Sequence, residues 1–299
     1  MQLRTSQRKS AKIRLSLQSP SGGGKTYSSL LLAFGLVGAW DKIAIIDTER
    51  GSADLYAHLG NYYVLPLSEP YTPESYIEGI KLCESSGIEC IIIDSISHEW
   101  NGKGGILDIH EQVTSRMKIP NSFTAWASVT PRHQSFIDAI LQSRCHVITT
   151  LRTKTEYILS ERNGKTIPQK VGMAAVQRDG FEYEVSVSLD LDSEHYALSS
   201  KDRTGLFSDK PKFCITVETG KLILDWINSA SPAITVDSVK EKIKTSTTIE
   251  KLNEVYIGYP EFNQLLNPDF SKRKQEILTA NIRNISTFGN NGTSTRQVN

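Results

Sequence analysis
Polar and apolar residues alternate along residues 12–18, KIRLSLQ, which is the period of a β-strand. A glycine-rich turn follows, and the apolar positions of GKTYSSLLLAFGLVGA then fall at helical spacing. Residues 42–49, KIAIIDTE, and 89–97, ECIIIDSIS, instead carry unbroken apolar runs, the mark of strands buried on both faces of a parallel sheet. Between them NYYVLPL reads as a short strand and PESYIEGIKLCESSG as a helix, with Pro73 near its start and Gly87 past its end. PRHQSFIDAILQSR is a further helix and CHVITTLRT a fourth core strand. Strand and helix thus alternate to about residue 150, which predicts an α/β fold with a doubly wound, mostly parallel sheet. Its ligand is expected at the carboxyl ends of the strands.

Beyond residue 152 the pattern becomes antiparallel. TEYILSERNGKTIPQK carries Asn163-Gly164, a strong hairpin signal, and EYEVSVSLDLD with HYALSSKD reads as a second hairpin turning near Asp192 and Ser193. ETGKLILDWINSA is a helix that closes the core. From residue 231 to 285 short amphipathic helices (SVKEKIK, TIEKLNEVY, KRKQEILTANI) are separated by Pro260 and Pro268 and predict a small helical appendix. The tail, residues 286–299, is polar and without period, as disordered segments are. The expected organisation is therefore a core over 1–230, the appendix over 231–285 and the tail.

Composition narrows the partners. The formal net charge is +1, so no global field advertises nucleic acid and any basic surface must be local. No 18-residue apolar run exists, and Arg4, Arg8, Lys9, Lys12 and Arg14 precede no apolar signal region, so a soluble cytoplasmic chain with no membrane partner is expected. Cys83, Cys90, Cys145 and Cys214 show no C-x-x-C spacing and lie in or beside apolar runs, which predicts reduced thiols in a core.

Chemistry first enters at Ser19 to Thr26, SPSGGGKT. A phosphate-binding loop reads G-x-x-x-x-G-K-[ST]; this one ends correctly at Gly24-Lys25-Thr26 and has Ser19 where the first glycine belongs. A strand precedes it and a helix follows, as the motif requires. Backbone N–H groups around Gly22, Gly23 and Gly24 would cradle phosphates, the Lys25 ammonium would reach the β and γ phosphates, and the Thr26 hydroxyl would face magnesium. Ser21 and Tyr27 flank this set, so the expected cofactors are ATP and Mg2+. The strand IIIDS ends in Asp94, the expected second magnesium partner, and the strand end IIDTE offers Glu49 as a base for the attacking water.

The order of these motifs, followed by VITTLRTK and a β-rich half with SKDRTG, resembles the RecA/RadA recombinase ATPase core over residues 11–228, and most closely the compact phage versions that act in recombination and single-strand annealing. The resemblance implies a RecA-like P-loop NTPase core with an antiparallel hairpin extension. It implies ATP hydrolysis with Glu49 as water-activating base, Asp94 on magnesium, and Thr150 where the sheet senses the γ-phosphate; recombinases usually carry an amide there. In recombinases a cation pair at the place of Lys201 and Arg203 reaches the nucleotide of a neighbouring subunit, which implies a homo-oligomer, ring or filament. Host cytoplasm is the expected location if the chain is phage encoded, with a phage single-strand-binding or replication protein as a candidate partner.

Recombinases also place DNA-facing loops where this chain has the segment from Asn101 to Pro131 and the stretch GMAAVQRDGF. Between Leu151 and Arg178 six cations (Arg152, Lys154, Arg162, Lys165, Lys170, Arg178) stand against two glutamates around Tyr157, a composition suited to single-stranded DNA and equally that of a solvated hairpin. His98 and Glu99 in DSISHEW lack the H-E-x-x-H spacing of a zinc site. Two rival readings remain. One is a nucleotide-gated loading module for a replication or recombination partner; the other, disfavoured by the lack of an arginine-rich lid, is a small-molecule kinase.

Overall fold
The computed structural model describes residues 11–162, 165–229 and 235–288, with side chains described except at 155–172 and 281–288. The strands are β1 (Arg14–Ser19), β2 (Ile43–Asp47), β3 (Tyr63–Pro66), β4 (Cys90–Asp94), β5 (His146–Arg162), β6 (Lys165–Ala175), β7 (Val187–Leu191), β8 (Tyr196–Asp202) and β9 (Phe213–Cys214). The helices of the same unit are α1 (Lys25–Val37), α2 (Pro73–Ser85), α3 (Ser97–Asn101), α4 (Ile106–Arg116), α5 (Ser122–Gln142), α6 (Phe181–Glu184) and α7 (Val217–Asn228). The sheet runs β3-β2-β4-β5-β1-β7-β8-β9, parallel from β3 to β7 and antiparallel from β7 to β9, and β6 pairs antiparallel with the outer half of β5. This is the α/β P-loop NTPase fold.

The unbroken apolar runs divide between two faces because successive side chains of a strand point to opposite sides. Ile43, Ile45, Cys90 and Ile92 pack with Leu17, Leu30, Leu36 and Ile223 under α1 and α7; Ala44, Ile46, Ile91 and Ile93 pack with Tyr76, Ile80, Phe136 and Ile140 under α2 and α5. On the first face α1 and α7 touch backbone to backbone. A Cβ on Gly35 would lie 2.2 Å from the Val217 carbonyl oxygen, and one on Gly220 2.3 Å from that of Leu32, so neither position accepts a side chain. Arg14, read from the sequence as part of a basic terminus, is instead buried. Its guanidinium donates to the carbonyls of Leu141, Ser143 and Cys145, and burial lowers its pKa to about 10.

Three expectations are corrected. The segment from Asn101 to Pro131, expected as a long loop with a helix beginning at Pro131, is largely helical. Ile106, Ile109 and Val113 share one face of α4, and Asn121 caps α5 by accepting from the Thr124 N–H at 3.1 Å. Pro131 therefore lies inside α5, on its exposed face, while Ala125, Val129, Phe136 and Ile140 keep a buried stripe through it. Residues 182–184, expected as the start of a strand, belong to the short α6. In the C-terminal part, α8 (Val236–Thr245), α9 (Ile249–Gly258) and α10 (Asn263–Phe288) follow, and Pro268, expected between helices, lies within α10 because Leu266, Phe270 and Ile277 bury one face across it.

The chain divides into two compact units, one of Arg8–Ser229 and one described over residues 235–288, whose own core is Val239, Ile243, Leu252, Leu266, Phe270 and Ile277. No described helix is long and apolar enough to cross a membrane.

Candidate nucleotide site
The loop between β1 and α1 explains its serine. Gly22 and Gly24 take left-handed backbone angles (φ +82° and +84°), whereas Ser19 does not, so the first motif position has no conformational need for glycine here. Ser19 is buried, and its hydroxyl donates to the Pro20 carbonyl at 2.9 Å. It fills the space beside Gly23, where a Cβ would fall 2.4 Å from the Ser19 Oγ. The serine is thus accommodated by the glycine four residues on. Helix α1 begins with no acidic residue in its first turn and no side-chain cap, which leaves its N-terminal N–H groups facing the cavity as an anion site.

Lys25 bends back over this loop. Its ammonium donates to the Ser19 and Pro20 carbonyls at 3.1 and 3.0 Å and to Ser19 Oγ at 3.1 Å. Burial lowers its pKa, against the opposing pull of Asp94 and Glu49. Asp94, at the end of β4, is 2% exposed and sits between two threonines: Thr26 Oγ1 donates to Oδ2 and Thr150 Oγ1 to Oδ1, each at 2.5 Å. Burial raises the Asp94 pKa and the two hydroxyls oppose the rise. No ion pair reaches this carboxylate among the described residues, and none of their His, Cys, Asp and Glu side chains form a group of three or more that could hold a metal. One buried carboxylate and one hydroxyl, with no ion-pair partner on the carboxylate among the described residues, suit an ion such as magnesium that takes few protein oxygens and completes its shell with phosphate and water.

Glu49 stands just past β2. Asp47 holds this turn, accepting from the Glu49 N–H at 2.6 Å and the Ala53 N–H at 3.3 Å. The Glu49 carboxylate accepts from Ser95 Oγ at 3.1 Å and is gripped by both arms of Arg152, with Nε at 2.8 Å from Oε1 and Nη2 on Oε2. Burial pushes the Glu49 carboxyl up, but the Arg152 hydrogen bond and charge outweigh it and hold it below the usual carboxylate range. Ser21, Gly22, Gly24, Lys25, Thr26, Tyr27, Glu49, Asp94 and Arg152 line one cavity of about 580 Å³. A family model described as AAA domain matches residues 11–215, which hold every residue of this cavity. The chain belongs to the AAA domain family. These are nucleotide-binding ATPase domains of the P-loop superfamily, and no curated protein matches the chain.

Not every expected residue of the AAA domain joins the cavity. Thr150 is fully buried and does not line it; its hydroxyl is committed to Asp94, so any link to a phosphate passes through that carboxylate. Lys201, near the end of β8, and Arg203, just past it, converge on the carboxyl end of α6. Lys201 donates to the Glu182 carbonyl at 2.8 Å and to Tyr183, and Arg203 to the Tyr183 carbonyl at 2.9 Å, outside this chain's cavity. Arg152, expected among DNA-facing cations, is in the nucleotide cavity instead. Lys154 and Arg178 line a second groove with Trp100, Phe123 and Trp126, while the side chains of Arg162, Lys165 and Lys170 lie outside the described residues.

Residues not anticipated from the sequence complete the cavity: Ser28 in the first turn of α1, Ser52 and Tyr56 on a 3-10 helix over Ser52–Leu59, His195, Cys214 and Ile215. His195, in the turn between β7 and β8, takes a left-handed φ of +69° and sets its ring against Gly24. Only a strand pairing across the sheet brings that turn to the loop, so no local signal marks it. Cys83, Cys90 and Cys145 are buried, but Cys214, expected in the core, is exposed in this cavity because β9 is a two-residue edge strand.

The DSISHEW stretch has a structural use. His98 Nδ1 lies 2.8 Å from Thr48 Oγ1 and its ring stacks on Tyr71. Glu99 is fully buried, bonded to His133 Nδ1 at 3.0 Å and to Gln177 Nε2 at 3.4 Å, and burial raises its pKa. His133→Ala, which strips a buried carboxyl of its best partner, is expected to destabilise the unit by about 3 kcal/mol. Urea unfolding measures this, with Glu99→Gln as the milder comparison.

Proposed function
We propose that this AAA domain is a magnesium-dependent, RecA-like ATPase that acts as an oligomer on single-stranded DNA in recombination or strand annealing. The observation that carries the ATPase part is the convergence of Lys25, Thr26, Asp94 and Glu49, from three strand ends, on one cavity. On this reading the first N–H groups of α1 and the Lys25 ammonium bind the phosphates, with Lys25 exchanging its loop carbonyls for phosphate oxygens. Thr26 and Asp94 would hold magnesium, which when bound neutralises phosphate charge. Thr150 keeps Asp94 oriented, and Glu49 accepts the proton of the attacking water.

The DNA part is supported by the second groove. Trp100 and Trp126 stack at 5.9 Å, Phe123 is 86% exposed beside them, and Lys154 and Arg178 bring positive charge against one Asp179. The tryptophans are engaged with each other, with His110 and with the cluster beneath them, so the exposed Phe123 is the ring available to a base, beside cations that can neutralise a backbone. The test is steady-state ATP turnover with and without single-stranded DNA. Stimulation of about tenfold or more, weakening as salt rises, is expected because phosphate contacts release counterions. Turnover indifferent to DNA would favour the loading-module reading, in which hydrolysis switches a protein partner.

A further inference from the structure
The strand order puts one more cation at the nucleotide than the phosphate loop supplies. Arg152 pairs in register with Ser19, the last residue of β1, so its Cα is fixed beside the start of the loop. Its backbone is held on both sides: its N–H donates to Ser97 Oγ at 2.9 Å and its carbonyl accepts from the Val176 N–H at 2.7 Å. Only the side chain is free to change partners, and that side chain is 46% exposed in its pair with Glu49. The Glu49 side chain is only 19% exposed and the pair is bidentate, so it gives way to a competing anion that offers the guanidinium two oxygens in return rather than to water alone.

Both cations of the cavity are thus occupied by protein groups, Lys25 by loop carbonyls and Arg152 by Glu49. With Glu49 and Asp94 they balance in charge, so each cation must leave its protein partner before it can pair with a phosphate oxygen. Glu49 has the complementary problem. Its oxygens accept from Arg152 and Ser95, and a carboxylate held so cannot readily take a proton from water. One exchange answers both needs.

Resting on the ATPase reading above, we infer that Arg152 is a catalytic residue of its own chain's site, its guanidinium leaving Glu49 for the γ-phosphate when ATP binds. In the reaction the water oxygen bonds to the γ-phosphorus while the bond from that phosphorus to the bridging oxygen breaks. The electron pair leaves with ADP, and the water proton passes to the released Glu49. Arg152 meets the charge that grows on the transferring group, and its planar fork fits two phosphate oxygens as it fits the two of Glu49. Lys201 and Arg203 are not available to this cavity from the same chain, being held at the end of α6.

The experiment compares the full-length parent with Arg152→Ala by calorimetry, using MgADP and then the Mg2+ complex of an ATP analogue with an imido bridge between the β and γ phosphates, and by ATP turnover. ADP affinity is expected to stay within about twofold, since ADP lacks the phosphate that Arg152 would hold, while affinity for the analogue falls about tenfold and turnover about a hundredfold. An unchanged ratio of analogue to ADP affinity, or turnover that rises because Arg152 merely restrains Glu49, overturns the inference. If the parent binds neither nucleotide, the ATPase reading itself fails. Should Arg152→Ala not fold, Arg152→Gln, which keeps most of the packing and loses the charge, is judged by the same two criteria.

Discussion

Lys25→Ala is expected to abolish measurable ATP binding, with an affinity loss of about a thousandfold or more. The ammonium is the only point charge that the loop itself carries, and charge-assisted bonds to phosphate are the strongest polar contacts such a site makes. The fold adds a second loss. Lys25 also ties together the Ser19 and Pro20 carbonyls, so its removal takes away the link between them and lets the loop relax from the shape that aims its N–H groups. Calorimetric titration with MgATP measures the effect, and thermal melting of the same variant separates it from unfolding. Near-parental affinity in a folded variant would remove the phosphate-loop assignment.

Glu49→Gln is expected to bind ATP about as well as the parent and to turn it over about a thousandfold more slowly, the worth of a well-placed base. The amide oxygen can still accept from Ser95 or Arg152, so the turn after β2 should hold its shape. The pH dependence gives a second readout. Because Arg152 holds the Glu49 carboxyl below its usual range, the parent's kcat/KM, which reports the free enzyme, should keep its base ionised to a lower pH than an ordinary glutamate would. As pH falls through that lowered pKa the parent loses activity, and the Gln variant lacks this limb. Normal turnover by Glu49→Gln would place the base elsewhere.

Much of the core could be read directly. Residues 43–47 and 90–94 are so uniformly apolar that only a strand covered on both faces suits them, and their terminal Asp47 and Asp94 mark the polar edge. The helical stretch from Ile106 to Gln142 was obscured by its own punctuation. Glycines before it and Pro131 within it read as loop, yet α4 is kept by its buried face and α5 by a proline turned to water. Arg152 was misplaced for another reason. It belongs by composition to a basic stretch, and its use depends on Glu49, 103 residues away in the chain.

Periodicity and turn chemistry are local, so the alternation of strands and helices, the phosphate loop with its lysine and threonine, and the two acidic strand ends are legible along the chain. Which of these meet is set by the sheet. Parallel strands pair through connections of many residues, and nothing local states that β5 lies between β1 and β4. That one choice sets Thr150 on Asp94 and Arg152 on Glu49. The pairing of β7 with β1, also parallel and remote, brings His195 to Gly24. Side-chain partners at this site are fixed by sheet order, and sheet order is settled by packing both faces at once.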